Sequence, residues 1–396
     1  MKKLLFLSIV SACVFSHLHA QKIKRIDNST INAATLTTRI RQLMDTARVT
    51  GLTIAIFNNN KPVYTKAFGY ANVATQQKMD TATEFWSCSF SKAVFGYCVM
   101  RLVEKNVISL DTPLIHYLSK PLPDYTFTKK TRGYHDLRND KRYEQITAKM
   151  CMEHTTGFPN YRGFEPDGKL SIRYNPGTTY SYSGEGIFLL QFVLEQITGK
   201  SYETLAQEEV FKPLGMTSSS YVWQKAFDNN HATGHDSAQH VYEFDERTLP
   251  HAAGSMYTTI TDFSKFYTAL LQQQGLSEKG FQTLFHPGIA ILSKQQFGPN
   301  ALVNDKTIAT TPLYYGLGFG LLRTPYGNAF FKEGHSEGWQ HHSIAFPSKG
   351  IAVIIMTNSD QGDSIFKELL ATAIGDTYTP WYWENYIPYN LTAQKP

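Results

Sequence analysis

A chain of 396 residues is too long for one small core, so one large domain or two interleaved ones are expected. Hydrophobic residues make up 42% and charged residues 18%, which excludes a disordered chain. The formal net charge is only +5, two of it from Lys2 and Lys3, so there is no electrostatic case for a nucleic-acid partner.

Met1-Lys2-Lys3, apolar Leu4 to Phe15 and then Leu18-His19-Ala20 read as a secretory signal cleaved after Ala20. The apolar run is too short for a transmembrane span. The expected location is therefore periplasmic or extracellular. Val10-Ser11-Ala12-Cys13 is also similar to a lipobox, which leaves a lipid anchor at Cys13 as a second reading. Beyond the signal, Cys88, Cys98 and Cys151 are an odd set and predict no structural disulfide.

Residues 21–34 read as a mobile lead. Thr35 to Ala47 is an amphipathic helix with Leu36, Ile40, Leu43 and Met44 inward. Leu52 to Phe57 and Val63 to Ala67 flank a turn cluster at Asn58 to Pro62 and predict a hairpin. Helical spacing runs through Phe95, Cys98, Val99, Leu102 and Val103 to a stop near Asn106. Lys120 to Tyr143 reads as a polar surface excursion. Further helices are expected over Ile146–Glu153, Gly184–Gly199, Ser201–Val210 and Thr261–Gln273.

Strands return at Gly316–Leu322, Asn328–Phe331, Gln340–Phe346 and Ile351–Thr357, and a closing helix at Ser364–Ile374. The aromatic tail from Tyr378 to Tyr389 is expected to pack on the body. This order implies a split α/β domain (21–94 and 255–396) around a mostly helical insert (95–254), after the signal at 1–20.

The chemistry centres on Ser89-Phe90-Ser91-Lys92. If a helix starts here, Ser89 and Lys92 share one face of its first turn, where an amine can take a proton from an alcohol. The same serine would serve equally as an ordinary helix cap, and Ser364-Ile365-Phe366-Lys367 repeats the pattern near the C-terminus. Tyr182-Ser183-Gly184 places a phenol just before a helix. Lys332-Glu333-Gly334-His335 places a cation at a strand end. Taken singly, the first reads as a half-buried tyrosine and the second as a solvated lysine.

Together, and in this order, the three segments resemble the boxes of the penicillin-recognising serine hydrolases: class C β-lactamases, D,D-carboxypeptidases and related esterases. His154-Thr155-Thr156-Gly157, Pro176-Gly177-Thr178, Ala252 to Tyr257 and Met356 to Ser359 are similar to that family's connecting segments. The resemblance implies a β-lactamase/transpeptidase-like α/β fold, with an antiparallel sheet flanked by terminal helices and a helical insertion. It implies Ser89 as nucleophile and Lys92 as the group that poises it. Tyr182 would be general base and acid, and Lys332 a source of positive potential. The backbone N–H groups of Ser89 and His335 would form the oxyanion hole, with Glu333 and Gly334 on the substrate side.

The substrate expected is a small molecule or peptide: a cell-wall D-amino-acid peptide, a β-lactam or a small ester. No metal or organic cofactor is implied. His154 is expected to fix a loop. Two departures weaken the case for β-lactam hydrolysis. Gly184 stands where class C enzymes carry asparagine, and Glu333 where threonine is usual; Glu333 is expected to pair with Lys332 or Arg323. The alternative is a protein that binds penicillin or peptidoglycan, acylating at most once.

Two other motifs fail. Gly334-His335-Ser336-Glu337-Gly338 has the form of a nucleophile elbow, but a strand pattern follows it and no histidine lies beyond the later aspartates. His231 and His235 are spaced for metal but lack the intervening glutamate.

Overall fold

The computed structural model describes residues 21–127, 133–243, 246–305 and 312–391; the signal reading of 1–20, with Cys13, lies outside these residues. The lead after residue 20 is not loose. Strands β1 (Lys22–Lys24) and β2 (Thr30–Asn32) form an antiparallel hairpin with Ile23 and Ile26 fully buried. The Asn58 side chain holds both the N–H and the C=O of Lys24. The polar neighbours of these two isoleucines concealed the anchor in the sequence.

Helix α1 (Ala33–Ala47) follows, capped by Asn32, and buries Leu36, Ile40, Leu43 and Met44 as expected. Strands β3 (Gly51–Asn58) and β4 (Lys61–Asn72) form the expected hairpin. Its turn residues Asn59 and Asn60 are both left-handed, a conformation asparagine tolerates well. After β5 (Gln77–Lys78) and β6 (Phe85–Trp86) comes α2 (Phe90–Glu104). The middle of the chain is short turns plus α3 (Ala148–Met152), α4 (Gly184–Thr198) and α5 (Tyr202–Ala206). Gly199 stops α4 at φ +65°. The excursion at 120–143 is less solvated than expected: Leu122, Tyr134, Leu137 and Tyr143 are buried.

Then follow β7 (Tyr257–Thr258), α6 (Ile260–Leu271), α7 (Glu278–Leu284), β8 (Ile289–Ala290), β9 (Leu313–Tyr315), β10 (Gly320–Thr324), β11 (Gly327–Ser336), β12 (Trp339–Phe346), β13 (Ile351–Thr357) and α8 (Phe366–Ile374). The strand expected over 316–322 divides into β9 and β10 around a turn. There Gly318, at φ +89°, sits against α2: a Cβ would lie 2.6 Å from Lys92 O.

The main sheet has the order β5-β4-β3-β13-β12-β11-β10-β9-β8, antiparallel throughout, so strands from both ends of the chain meet at β3 and β13. Alternation divides its side chains between two cores. Ile54, Ile56, Ile344, Val353 and Ile355 join Ile40 of α1 and Leu369 of α8. Ala55, Phe57, Ala345, Ile354 and Met356 join Phe90 and Val94 of α2 and Phe263 of α6. Each fully buried aliphatic side chain contributes roughly 1.5–3 kcal/mol. Both faces are therefore clamped, and α2 is fixed against the sheet. The tail packs as expected, with Trp381, Trp383 and Tyr386 buried. All three described cysteines are free and buried. No helix among the described residues is long and apolar enough to cross a membrane.

Candidate active site

Ser89 stands at the start of α2 and makes no capping bond with its side chain. Cys88 before it has φ +50°, a left-handed backbone that costs a residue with a side chain about 1–2 kcal/mol. The bend is tied down on both sides. Ser91 Oγ donates to Cys88 O at 2.5 Å and accepts from the Met256 N–H at 3.1 Å. Ser87 Oγ donates to Met256 O at 2.8 Å. The freed Ser89 Oγ lies 3.1 Å from Lys92 Nζ, which also donates to Ala253 O at 2.6 Å. Burial holds the Lys92 ammonium well below its usual range, and the charge of Lys332 lowers it further.

Tyr182 precedes α4, whose cap Ser183 accepts from the Gly186 N–H and donates to Pro159 O, both at 2.9 Å. Lys332 Nζ donates to Tyr182 OH at 3.2 Å. Lys92 Nζ lies 4.8 Å from the centre of the same ring. His154 packs on that ring at 4.2 Å, and its Nδ1 accepts from the Ser183 N–H at 3.2 Å, the loop-fixing part expected of it. Burial raises the Tyr182 phenol well above its usual range, the Glu333 charge adds to this, and a hydrogen bond with Ser89 offsets it only in part. The phenol is therefore protonated at neutral pH.

Lys332, Glu333, Gly334 and His335 lie along β11. Lys332 Nζ donates to Glu333 Oε1 at 2.8 Å and to Glu333 O at 3.1 Å. Gln296 Nε2 donates to the same carboxylate oxygen. Glu333 thus pairs with Lys332, not with Arg323. Burial alone would raise the Glu333 carboxyl, but the Lys332 charge brings it down to about 2. At Gly334 a Cβ would lie 2.8 Å from Ser87 O and 3.3 Å from Ser89 N, so only glycine lets β11 pass the start of α2. The His335 ring stacks on Tyr386, with Nε2 3.2 Å from the tyrosine hydroxyl. Burial holds the His335 imidazole down at about 4, hence neutral. The β10 ladder ends where Gly320 pairs with Phe331, so beyond Phe331 β11 has no strand partner on that side among the described residues.

Ser89, Tyr182, Glu333 and His335 line one hollow of about 410 Å³, walled by Trp86, Tyr161, Phe164 and Phe297. A larger hollow of about 680 Å³, around Arg41, Asp45 and Gly69, holds no nucleophile–base pair, so chemistry and not size marks the site. The loop carrying Asn160 and Tyr161 gave no signal in the sequence. It fills the room that a side chain at position 184 would need: a Cβ there would lie 2.6 Å from the Tyr161 ring. Asn160 Oδ1 accepts from the Gly184 N–H at 3.1 Å.

Glu185 points away from the cleft. It takes Arg162 Nε at 3.0 Å and an Arg162 terminal nitrogen at 2.8 Å, both side chains being 6% exposed. Arg162→Ala leaves the Glu185 charge buried alone. The expected loss is about 3–5 kcal/mol of stability, measurable by denaturant unfolding.

The rival motifs disperse. Ser336 ends β11 in a hairpin to β12, with no helix after it. Ser364 Oγ donates to Gln361 O beside an exposed Lys367. The His235 ring meets the Val73 N–H and Asn358 O, whereas His231 Nδ1 meets Phe227 O.

Known proteins resemble this chain over most of its length. "Putative penicillin-binding protein PbpX" of Bacillus subtilis is 24% identical over 249 residues, 60% of this chain and 59% of that one. "Teichoic acid D-alanine hydrolase" of Staphylococcus aureus is 24% identical over 241 residues, 59% of this chain and 57% of that one. The matches thus span less than two thirds of these curated relatives. The octameric penicillin-binding protein homologue of Pyrococcus abyssi superposes with a TM-score of 0.68 at 21% identity, covering 90% of this chain and 80% of that one, which shows a shared fold. The sequence profile of the family described as Beta-lactamase matches residues 36–374, and the chain belongs to that family.

Proposed function

We propose that the protein is an exported serine hydrolase that forms an acyl-enzyme on Ser89, acting on an ester or amide of a D-amino acid or on a β-lactam. The observation that carries this reading is the contact of Ser89 Oγ with Lys92 Nζ at 3.1 Å inside the cleft that Tyr182 and His335 also line. The D-alanine hydrolase among its relatives supports the substrate class.

Lys92, its ammonium destabilised by burial, takes the proton as Ser89 Oγ bonds to the substrate carbonyl carbon. The backbone N–H groups of Ser89 and His335 meet the oxyanion; one such donor is worth roughly 3–4 kcal/mol in the transition state. Tyr182, still a phenol, passes a proton to the leaving group as the scissile bond breaks. Water then adds to the acyl carbon as its proton passes to Tyr182, the bond to Oγ breaks, and Ser89 recovers its proton from Lys92.

The test is intact mass after exposure to a penicillin and to a reactive ester. Wild type gains one acyl mass with at least one of them, and Ser89→Ala gains none. An equal adduct on Ser89→Ala rejects the reading. One equivalent of adduct with no turnover assigns the acylation-only binder instead.

A further inference from the structure

We infer that Glu333 sets the charge of the substrate: the cleft takes an acyl group carrying a free ammonium and rejects one carrying a carboxylate. The inference rests on the acyl-enzyme reading above and narrows its substrate class.

Two lysines lie at the floor of the cleft, yet neither is free to hold an anion. Lys92 is bonded to Ser89 Oγ and Ala253 O, and burial disfavours its charged form. The Lys332 ammonium has three N–H donors and three acceptors: Glu333 Oε1, Glu333 O and the Tyr182 hydroxyl. Its charge is cancelled at contact distance by a carboxylate that is itself 1% exposed. A threonine at 333 would leave that charge standing.

The remaining valence belongs to Glu333. Oε1 receives both Lys332 and Gln296, while Oε2 is buried with no hydrogen-bond partner among the described residues, and the residue lines the cleft beside Ser89. A carboxylate oxygen left unmatched at the floor of a reactive cleft is an acceptor waiting for a donor. The walls favour a cation as well. Trp86, Tyr161 and Phe297 present aromatic rings, whose faces attract ammonium groups. Trp86 already holds one cation, the Arg247 guanidinium, 3.5 Å from its ring centre. That arginine also lines the neighbouring hollow, together with Glu243 and Glu337.

Three p-nitroanilides of D-alanine, differing only at the amino group (free, N-acetyl and N-succinyl), test the charge preference on the full-length protein. Wild type is expected to show kcat/KM at least about tenfold higher for the free amine than for the succinyl compound, the scale of one hydrogen bond between charged groups. Glu333→Gln and Glu333→Thr are each expected to lower that ratio at least about tenfold. Because the ratio is taken within one protein, a general loss of activity does not move it.

A wild-type ratio near one overturns the inference even if neither variant folds, and so does an unchanged ratio in both variants. If turnover of the N-acetyl compound persists in either case, the acyl-enzyme reading survives. If none of the three is cleaved and no adduct forms on Ser89 with a reactive ester, both readings fall.

Discussion

Ser89→Ala is expected to lower kcat on any ester or amide substrate by about 10⁴-fold or more, with stability unchanged to within about 0.5 kcal/mol. The two halves of this result have separate causes. Activity falls because the hydroxyl held against Lys92 at the cleft is gone. Stability holds because that oxygen caps nothing, and the bend before it is fastened by Ser91, Ser87 and Met256. Ser91→Ala should give the opposite pattern, since it breaks the fastening and leaves the nucleophile. Steady-state kinetics and thermal unfolding on the same samples separate them. Retained turnover in Ser89→Ala would remove Ser89 from the mechanism.

Tyr182→Phe is expected to reduce kcat by about 10²–10⁴-fold on a substrate whose leaving group needs a proton. The loss should be much smaller on a p-nitrophenyl ester, whose leaving group departs as an anion. A tyrosine that merely packed against His154 would affect both substrates alike, so this contrast is the discriminating readout. The pH profile carries a second sign. Burial lowers the Lys92 ammonium, so the free amine forms as pH rises through a value below 10.5, and kcat/KM climbs over that range. Burial raises the Tyr182 phenol, so no alkaline decline from this residue is expected below about pH 10. A phenolate acting as the resting base would need the reverse.

Residues close together in the chain made their elements legible. Asn59 and Asn60 announced their turn, and Leu36, Ile40, Leu43 and Met44 announced α1, because each pattern is written within a few residues. The reactive tetrapeptide was legible as chemistry but not as geometry. It looks the same whether Ser89 caps the helix or faces Lys92, and only the left-handed Cys88 decides. Tyr161 left no trace, since what places it is the empty α-carbon of Gly184, twenty-three positions away. The hairpin at 22–32 was hidden for a related reason: the Asn58 side chain and the Ile374 carbonyl that help hold it lie far along the chain. The pairing of Glu333 stayed open between two cations because both Lys332 and Arg323 lie on neighbouring strands of the same sheet.

The ladder that sets Ile54 beside Ile355 has a temporal meaning. Synthesis delivers Ser89 early and the strand with Lys332 late. The bond from Lys332 to Tyr182 alone closes a span of 150 positions. Such distant closures are slow to form, so the contact of Lys332 with Tyr182 waits until β11 has emerged.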